Sequence, residues 1–457
     1  MTSTESGGLA EPAGARPPTV GLGVWELAWP SVALFALHAL VGVVDFVFVS
    51  SLGTEAIAAV GVASQLHFFL FALFQAVTTG TVAVVARESG AGRWGEVGRA
   101  MRASVLLASG IGAVAMLAMP FAESIVGALG VQHGVAVLGG TCLAILLASN
   151  VPLAVEATIA MGLRGAGDVR TPLAIGIVAN VVNVIGDYAL IFGKLGAPAL
   201  GAPGSAVATV IAFTVAAVLS VVLWLRGDLI IPRGPWRASV SAQRCWRLLR
   251  VGLPTALEQG AWHVGLLLFL TLVAAFGTEP VSAYLIGVRI LSFCFVPGFG
   301  FATAASTLVG QNLGAERPDL AASSGWRATG GAVAVMGSVG LMIVILAVPL
   351  AGWFGAVGEA TTTLTVTFIY ILGAAQPLMA LEFALGGALR GAGDTRFPLL
   401  AILIGLFVFR LGGALLIAEP LFGTVTAVWC CLLADYAVKA ALLSWRFASG
   451  RWATVRV

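Results

Sequence analysis

Runs of about twenty apolar residues, the length that crosses the hydrocarbon core of a bilayer, recur along almost the whole chain between short polar or glycine-rich breaks. They begin near residues 25, 57, 101, 136, 171, 203, 252, 282, 328, 362, 398 and 423. The hydrocarbon core offers no water to exposed backbone groups, so each run must be helical. The composition agrees, since 59% of the 457 residues are hydrophobic and 10% are charged, against about 25% charged in soluble domains. The expected fold is an all-α integral membrane protein of twelve transmembrane helices. Residues 1–22 are polar and rich in proline and glycine, lack the apolar core of a cleavable signal, and read as a disordered tail. The five cysteines show no metal-ligand spacing and mostly fall inside predicted spans, so buried thiols are expected, with no disulfide framework, no metal and no zinc.

Basic residues set the orientation, because lysine and arginine in short loops are retained on the cytoplasmic side. The breaks after even-numbered spans hold Arg87, Arg93 and Arg99, then Arg164 and Arg170, five arginines between 233 and 250, Arg317 and Arg327, and Arg390 and Arg396. The breaks after odd-numbered spans hold only Lys194. Both termini are therefore expected to be cytoplasmic, in a multi-pass protein of the plasma or inner membrane. The formal net charge of +3 follows from this topology and calls for no nucleic-acid partner.

The chain also repeats itself. Arg164-Gly165-Ala166-Gly167-Asp168 returns 226 residues later as Arg390-Gly391-Ala392-Gly393-Asp394, and Pro172 returns as Pro398. Pro30 and Gly53-Thr54-Glu55 return at an offset of 224, as Pro254 and Gly277-Thr278-Glu279. Six spans per copy is an even number, so the copies enter the membrane in the same sense. The expected architecture is two six-helix lobes related by a pseudo-twofold axis along the membrane normal, with a cavity between them and rocking of the lobes for alternating access. The expected organisation is a tail 1–22, an amino-terminal lobe 23–226, a linker 227–250, a carboxyl-terminal lobe 251–447 and a tail 448–457. Trp236 and Trp246, set among arginines, suit an interfacial helix within the linker. In the repeated turn, Gly165 and Gly167 permit a tight reversal, Pro172 starts the next helix, and Arg164 and Asp168 pair or cap at the surface. The spacing lacks the lysine and hydroxyl of a phosphate-binding loop.

These ordered anchors resemble the multidrug and toxic compound extrusion (MATE) transporters of the multidrug/oligosaccharidyl-lipid/polysaccharide (MOP) flippase superfamily. The resemblance rests on the duplicated Leu-Arg-Gly-x-Gly-Asp-x-x-x-Pro at Leu163 to Pro172 and Leu389 to Pro398, and on Gln311-Asn312-x-Gly-Ala315. It spans roughly residues 23–447. Asp45 together with Asn183 and Asp187 is similar to the prokaryotic branch named for the DNA-damage-inducible protein F (DinF). The resemblance implies a secondary-active multidrug efflux antiporter, with no cofactor, that exchanges amphipathic, possibly cationic, organic compounds for H⁺ or Na⁺ and works as a monomer among membrane lipids. It also implies that Asp45, Asn183, Asp187 and Thr209 form a cation- or proton-sensitive cluster.

The residues support that implication independently. A lipid-facing carboxylate at Asp45 would cost about 2.5–3.5 kcal/mol on an insertion scale, so it should face inward. Asn180, Asn183 and Asp187 share one helical stripe. At about 1.5 Å rise per residue, Asp45, Asp187 and Thr209 lie at one level, roughly 9–12 Å below the outer surface. Two neighbouring acids disfavour double ionisation, so the group reads as a protonation or Na⁺ switch, with Pro30 supplying a bend in the first helix. The plainer alternative is hydrogen-bonded glue between helices. The matching carboxyl-terminal positions are Phe269, Phe409 and Gly413, so the lobes have diverged.

Glu156, Glu258 and Glu382 are candidates for a substrate cavity or for helix–helix hydrogen bonds. Arg289 and Arg410 are candidates for an anionic substrate group or for pairing with Glu258, Glu382 or Asp435. His38 stands seven residues before Asp45 and reads as a proton relay or a satisfied interior histidine. Phe68, Phe69, Trp262, Phe295 and Phe299 offer an apolar binding wall. No catalytic constellation of an enzyme is visible, and no symmetric filter of a channel. The nearest rival is a lipid or lipid-linked oligosaccharide flippase of the same superfamily, favoured if several basic residues line the cavity.

Overall fold

A computed structural model describes residues 23–236 and 241–455. The expected tail 1–22 and Arg237 lie outside the described residues. Among the described residues the fold is helical, with no strand.

Ten helices are long and apolar enough to span, and two bent pairs complete a set of twelve. In chain order these are α1 (Val24–Ser50), α2 (Thr54–Gly90), α3 (Trp94–Gly127), α4 (His133–Ala148 continued by Asn150–Gly165), α5 (Arg170–Phe192), α6 (Ala202–Arg226), α7 (Ala242–Ala274), α8 (Thr278–Gly314), α9 (Pro318–Ile345), α10 (Glu359–Ala392), α11 (Arg396–Phe422) and α12 (Val425–Ala448). The 48° bend in α4 has a local cause. Pro152, two residues into the second segment, has no N–H to donate toward Ala148. Asn150 is fully buried at this break, and its Oδ1 meets His67 Nε2 of α2 at 3.0 Å.

Several helices start before their apolar runs. α3 begins at Trp94, α7 at Ala242 and α9 at Pro318, whereas the hydrophobic pattern begins seven to ten residues later. These first turns are polar, carry Glu96 and Arg99 or Arg244 and Arg247, and lie beyond the apolar stretch. The expected interfacial helix in the linker is therefore replaced by the leading turns of α7, capped by Ser241, whose Oγ accepts from Arg244 N at 3.2 Å. Trp246 is exposed on these turns, while Trp236 packs on Trp224 at the end of α6, with ring centroids 5.3 Å apart. α1 continues as one helix through Pro30.

The repeat is visible in the way the lobes touch. A Cβ on Gly90 would collide with the Gln311 carbonyl oxygen, and one on Gly314 would collide with that of Arg87. Each pair is the other shifted by 224 residues, which is what a pseudo-twofold crossing of α2 and α8 requires. A second reciprocal pair follows, since a Cβ on Gly252 of α7 would collide with the Ala76 carbonyl of α2, and one on Gly300 of α8 would come within 3.1 Å of the Ala28 carbonyl oxygen of α1. Polar contacts reinforce this end of the molecule. Thr307 Oγ1 donates to the Arg164 carbonyl at 2.9 Å, Gln311 Nε2 to the Gly165 carbonyl at 3.0 Å, and Arg247 pairs with Glu88 at 2.8 Å. Among the described residues, the hydrogen bonds, ion pairs and ring contacts between lobes run from this arginine-rich end up to Phe68, Phe69 and His263.

In the repeated turn the two glycines divide the work differently from the expectation. Gly167 and Gly393 take the turn at φ 94° and 89°. Gly165 and Gly391 instead admit close packing, against Val82 O of α2 at 3.0 Å and against the Ser306 carbonyl of α8.

Side chains at the reciprocal glycines should force the crossing apart, because a rigid carbonyl cannot move aside as a side-chain end can. Gly90→Val and Gly314→Val are each expected to raise the maleimide labelling rate of a cysteine placed at buried Ala86, and to similar extents. Gly110→Val, whose new atoms meet open space, should leave the rate unchanged.

Candidate functional site

The interior charges fall into two unlike groups. In the amino-terminal lobe, the 3.6-residue period of α5 puts Asn180, Asn183 and Asp187 on its buried face. α1 brings Asp45 into side-chain contact with Asp187, and α6 brings Thr209 to Asn183, whose Nδ2 lies 3.4 Å from Thr209 Oγ1. Thr209 Oγ1 donates to the Ser205 carbonyl at 3.0 Å, so it is free to accept from Asn183. Asn180 Nδ2 donates to the Gly176 carbonyl of its own helix at 2.7 Å.

Four buried oxygens here meet no donor: Asp45 Oδ1, Asn183 Oδ1 and both carboxylate oxygens of Asp187. Ionised carboxyls can only accept hydrogen bonds. Contact between two of them becomes favourable when one carries a proton, or when a cation lies among the oxygens. Among the described residues, no ion pair involves either acid.

The carboxyl-terminal lobe is arranged the opposite way. Glu258 of α7 pairs with Arg390 of α10 at 2.8 Å, Glu382 of α10 with Lys439 of α12 at 3.0 Å, and Asp435 of α12 with Arg410 of α11 at 2.5 Å. Lys439 also lies 3.4 Å from Asp435. Of the two partners open to Arg410 and Arg289 in the sequence, pairing holds for Arg410. Arg289 is exposed on α8 with no ion pair among the described residues. Lys439, Arg390 and Arg164 are interior residues that the sequence reading did not place inside. The signal for Lys439 was present, since it follows Asp435 by four residues in the middle of a span.

Arg164 and Asp168 do not pair. Arg164 is buried, with its guanidinium 5.4 Å from the Phe35 ring and in the field of Glu156 and His38. Asp168 accepts from the backbone of Arg170 and Thr171 at 3.1 and 3.0 Å and from Thr171 Oγ1 at 2.6 Å, capping α5. Its repeat mate Asp394 instead pairs with Arg446 at 2.7 Å. His38 is exposed on α1 and lies in the field of Arg164. The expected aromatic wall forms where the lobes meet. Phe299 stacks near Phe35 at 5.4 Å and Phe383 at 5.0 Å, Trp262 lies 6.2 Å from Phe295, and His263 lies 5.3 Å from both Phe68 and Phe69.

Two six-helix lobes built on one plan, meeting at one end and holding an unpaired carboxyl cluster inside one of them, define a transporter-type membrane fold. The MatE family model matches residues 30–189 and 254–416, one match in each half, beginning at the repeated Pro30 and Pro254. The chain belongs to this family. It is 28% identical over 432 residues to the probable multidrug resistance protein NorM of Thermotoga maritima, covering 93% of this chain and 92% of that one. It is 27% identical over 450 residues to the multidrug resistance protein NorM of Burkholderia vietnamiensis, covering 95% of each. Among solved structures, a MOP superfamily transporter from Pyrococcus furiosus superposes with a TM-score of 0.87 at 21% identity, over 94% of this chain and 96% of that one. A multidrug resistance MATE transporter solved in an outward-facing conformation also gives 0.87. At such identities these two establish the shared fold.

The pairing of Glu258 with Arg390 has an energetic consequence. Removing one member of a buried pair strands the other at a cost of about 3–5 kcal/mol, whereas removing both is far milder. Glu258→Gln is therefore expected to lower the thermal midpoint of the purified protein, and Glu258→Gln with Arg390→Met to recover most of the loss. Both are read from unfolding curves in detergent.

Proposed function

We propose that the protein is a secondary-active efflux antiporter that exports amphipathic organic compounds in exchange for a monovalent cation, H⁺ or Na⁺, by alternating access. The observation that carries this is the facing pair Asp45 and Asp187, held inside the amino-terminal lobe with donor-free oxygens and, among the described residues, no ion pair to a base. A proton or Na⁺ arriving there removes the repulsion between the acids and draws α1 toward α5. Its departure releases α1, which also carries Phe35 at the aromatic contact between lobes. Asn183 and Thr209 hold the pair's surroundings polar, so the charged state is tolerated long enough to exchange.

The names of the NorM relatives support a drug-like substrate range. The Asp45, Asn183 and Asp187 set supports the DinF-like branch. The distribution of arginines supports cytoplasmic termini, which makes the sealed end the cytoplasmic one and opens the cavity outward. In that reading residues 23–226 and 251–447 are the two rocking lobes, and the chain functions as a monomer without an enzymatic step. A flippase would be favoured by several free basic side chains in the cavity, but Arg390, Arg410 and Lys439 are all engaged by acids.

The test uses purified protein in liposomes, with transport of a fluorescent organic cation followed under an imposed pH gradient or an imposed Na⁺ gradient, the other being absent. Transport driven by one of the two, and reduced at least tenfold by Asp45→Asn or Asp187→Asn in correctly inserted protein, is the expected result. Undiminished transport in both variants would remove the coupling role from this cluster. No transport under either gradient would remove the antiport reading.

A further inference from the structure

The repeat lets the two lobes be compared position by position. In the carboxyl-terminal lobe the places of Asp45, Asn183 and Asp187 are held by Phe269, Phe409 and Gly413. The lobe has not simply become apolar there. The Arg410 guanidinium lies 5.7 Å from the centre of the Phe269 ring, the residue standing where Asp45 stands in the other lobe. Arg410 is itself 2% exposed and in contact with Asp435, which is fully buried. An acid that must acquire its cation in one lobe faces, in the other, a cation already attached to the chain.

The groups around Arg410 come from every helix packed on it. α12 supplies Asp435, Lys439 and the Tyr436 ring at 5.2 Å, α7 supplies Phe269, and Tyr284 of α8 lies within its electrostatic reach. Lys439 extends the network to Glu382 of α10, which in turn feels Glu258 and its partner Arg390. Three acids face three bases, so the network is neutral as it stands. The Arg410–Asp435 contact is ionic rather than a well-aligned hydrogen bond, and it depends on charge balance in a region that water does not screen.

We infer that Arg410, with Lys439, is a tethered counter-cation that holds the carboxyl-terminal lobe permanently in the charge-neutral condition that the amino-terminal lobe reaches only when it binds its coupling ion. Cation exchange is thereby confined to one lobe. Arg410 is a positioning residue for that asymmetry and touches neither substrate nor ion. The inference rests on the reading of Asp45 and Asp187 as the coupling pair, but its own evidence lies wholly in the other lobe.

Infrared difference spectroscopy of the purified protein between acidic and alkaline buffer, without substrate, tests it by reading the stretch of protonated carboxyl groups. In the otherwise unaltered chain, Asp435→Asn and Glu382→Gln are expected to leave that signal unchanged, because each acid faces a base fixed to the chain, Arg410 or Lys439. Arg410→Met removes the tethered charge and should create a new protonated-carboxyl band, which Arg410→Met with Asp435→Asn abolishes and Arg410→Lys never shows. A protonated-carboxyl band in the unaltered protein that Asp435→Asn or Glu382→Gln removes would overturn the inference, as would an Arg410→Met spectrum with no new band. If Arg410→Met does not fold, the first comparison, made with Arg410 in place, still decides the matter. Asp187→Asn serves as the separate check on the coupling reading, since losing no band there would sink that reading and leave the carboxyl-terminal result standing.

Discussion

Charge is costly where water cannot follow it, and the arrangement of this protein follows from where it leaves that cost uncompensated. A hydrocarbon solvent forces the backbone into helices, but it says nothing about which helix faces which. The polar groups settle that. Asn150 sits at the break in α4, and Glu258, Glu382 and Asp435 inside the carboxyl-terminal lobe each meet a base. Asp45 and Asp187 face each other with no such partner among the described residues.

The meeting surface of the lobes is closely fitted. At Gly90 and Gly314, and again at Gly252 and Gly300, backbone meets backbone with no room for a side chain. Packing of this kind is held or lost as a unit rather than stretched gradually. A modest change in α1, which carries both Asp45 and the Ala28 contact to Gly300, is thus well placed to tip the balance between closed and open ends.

Much of this was legible in the sequence, for reasons that can be traced. The twelve spans follow from apolar length, and the halves follow from repeated anchors whose offset of 224 reappears in the reciprocal glycine crossings. The α5 stripe was readable because a regular helix preserves its 3.6-residue face. The interior of the other lobe was not, and α11 shows why. Ile404–Gly412 and Ala414–Ala418 are wound as π-helix, so counting along an ordinary helix could not choose among Glu258, Glu382 and Asp435 as the partner of Arg410. Arg164 and Arg390 escaped for another reason. Next to a glycine turn an arginine reads as a surface residue, and only the fold shows both guanidinium groups turned inward, one to Phe35 and one to Glu258. The early starts of α3, α7 and α9 were hidden because hydropathy marks the bilayer, and a helix need not end where the bilayer does.

The central claim is that one lobe, through one carboxyl pair, exchanges one monovalent cation for each substrate molecule moved. The most direct measurement is that ratio, obtained in liposomes by finding the substrate gradient that just balances an imposed gradient of the coupling cation at zero membrane potential. A balance in which the two gradients match, one cation for one substrate, is the predicted result. A balance requiring two cations per substrate would contradict the account.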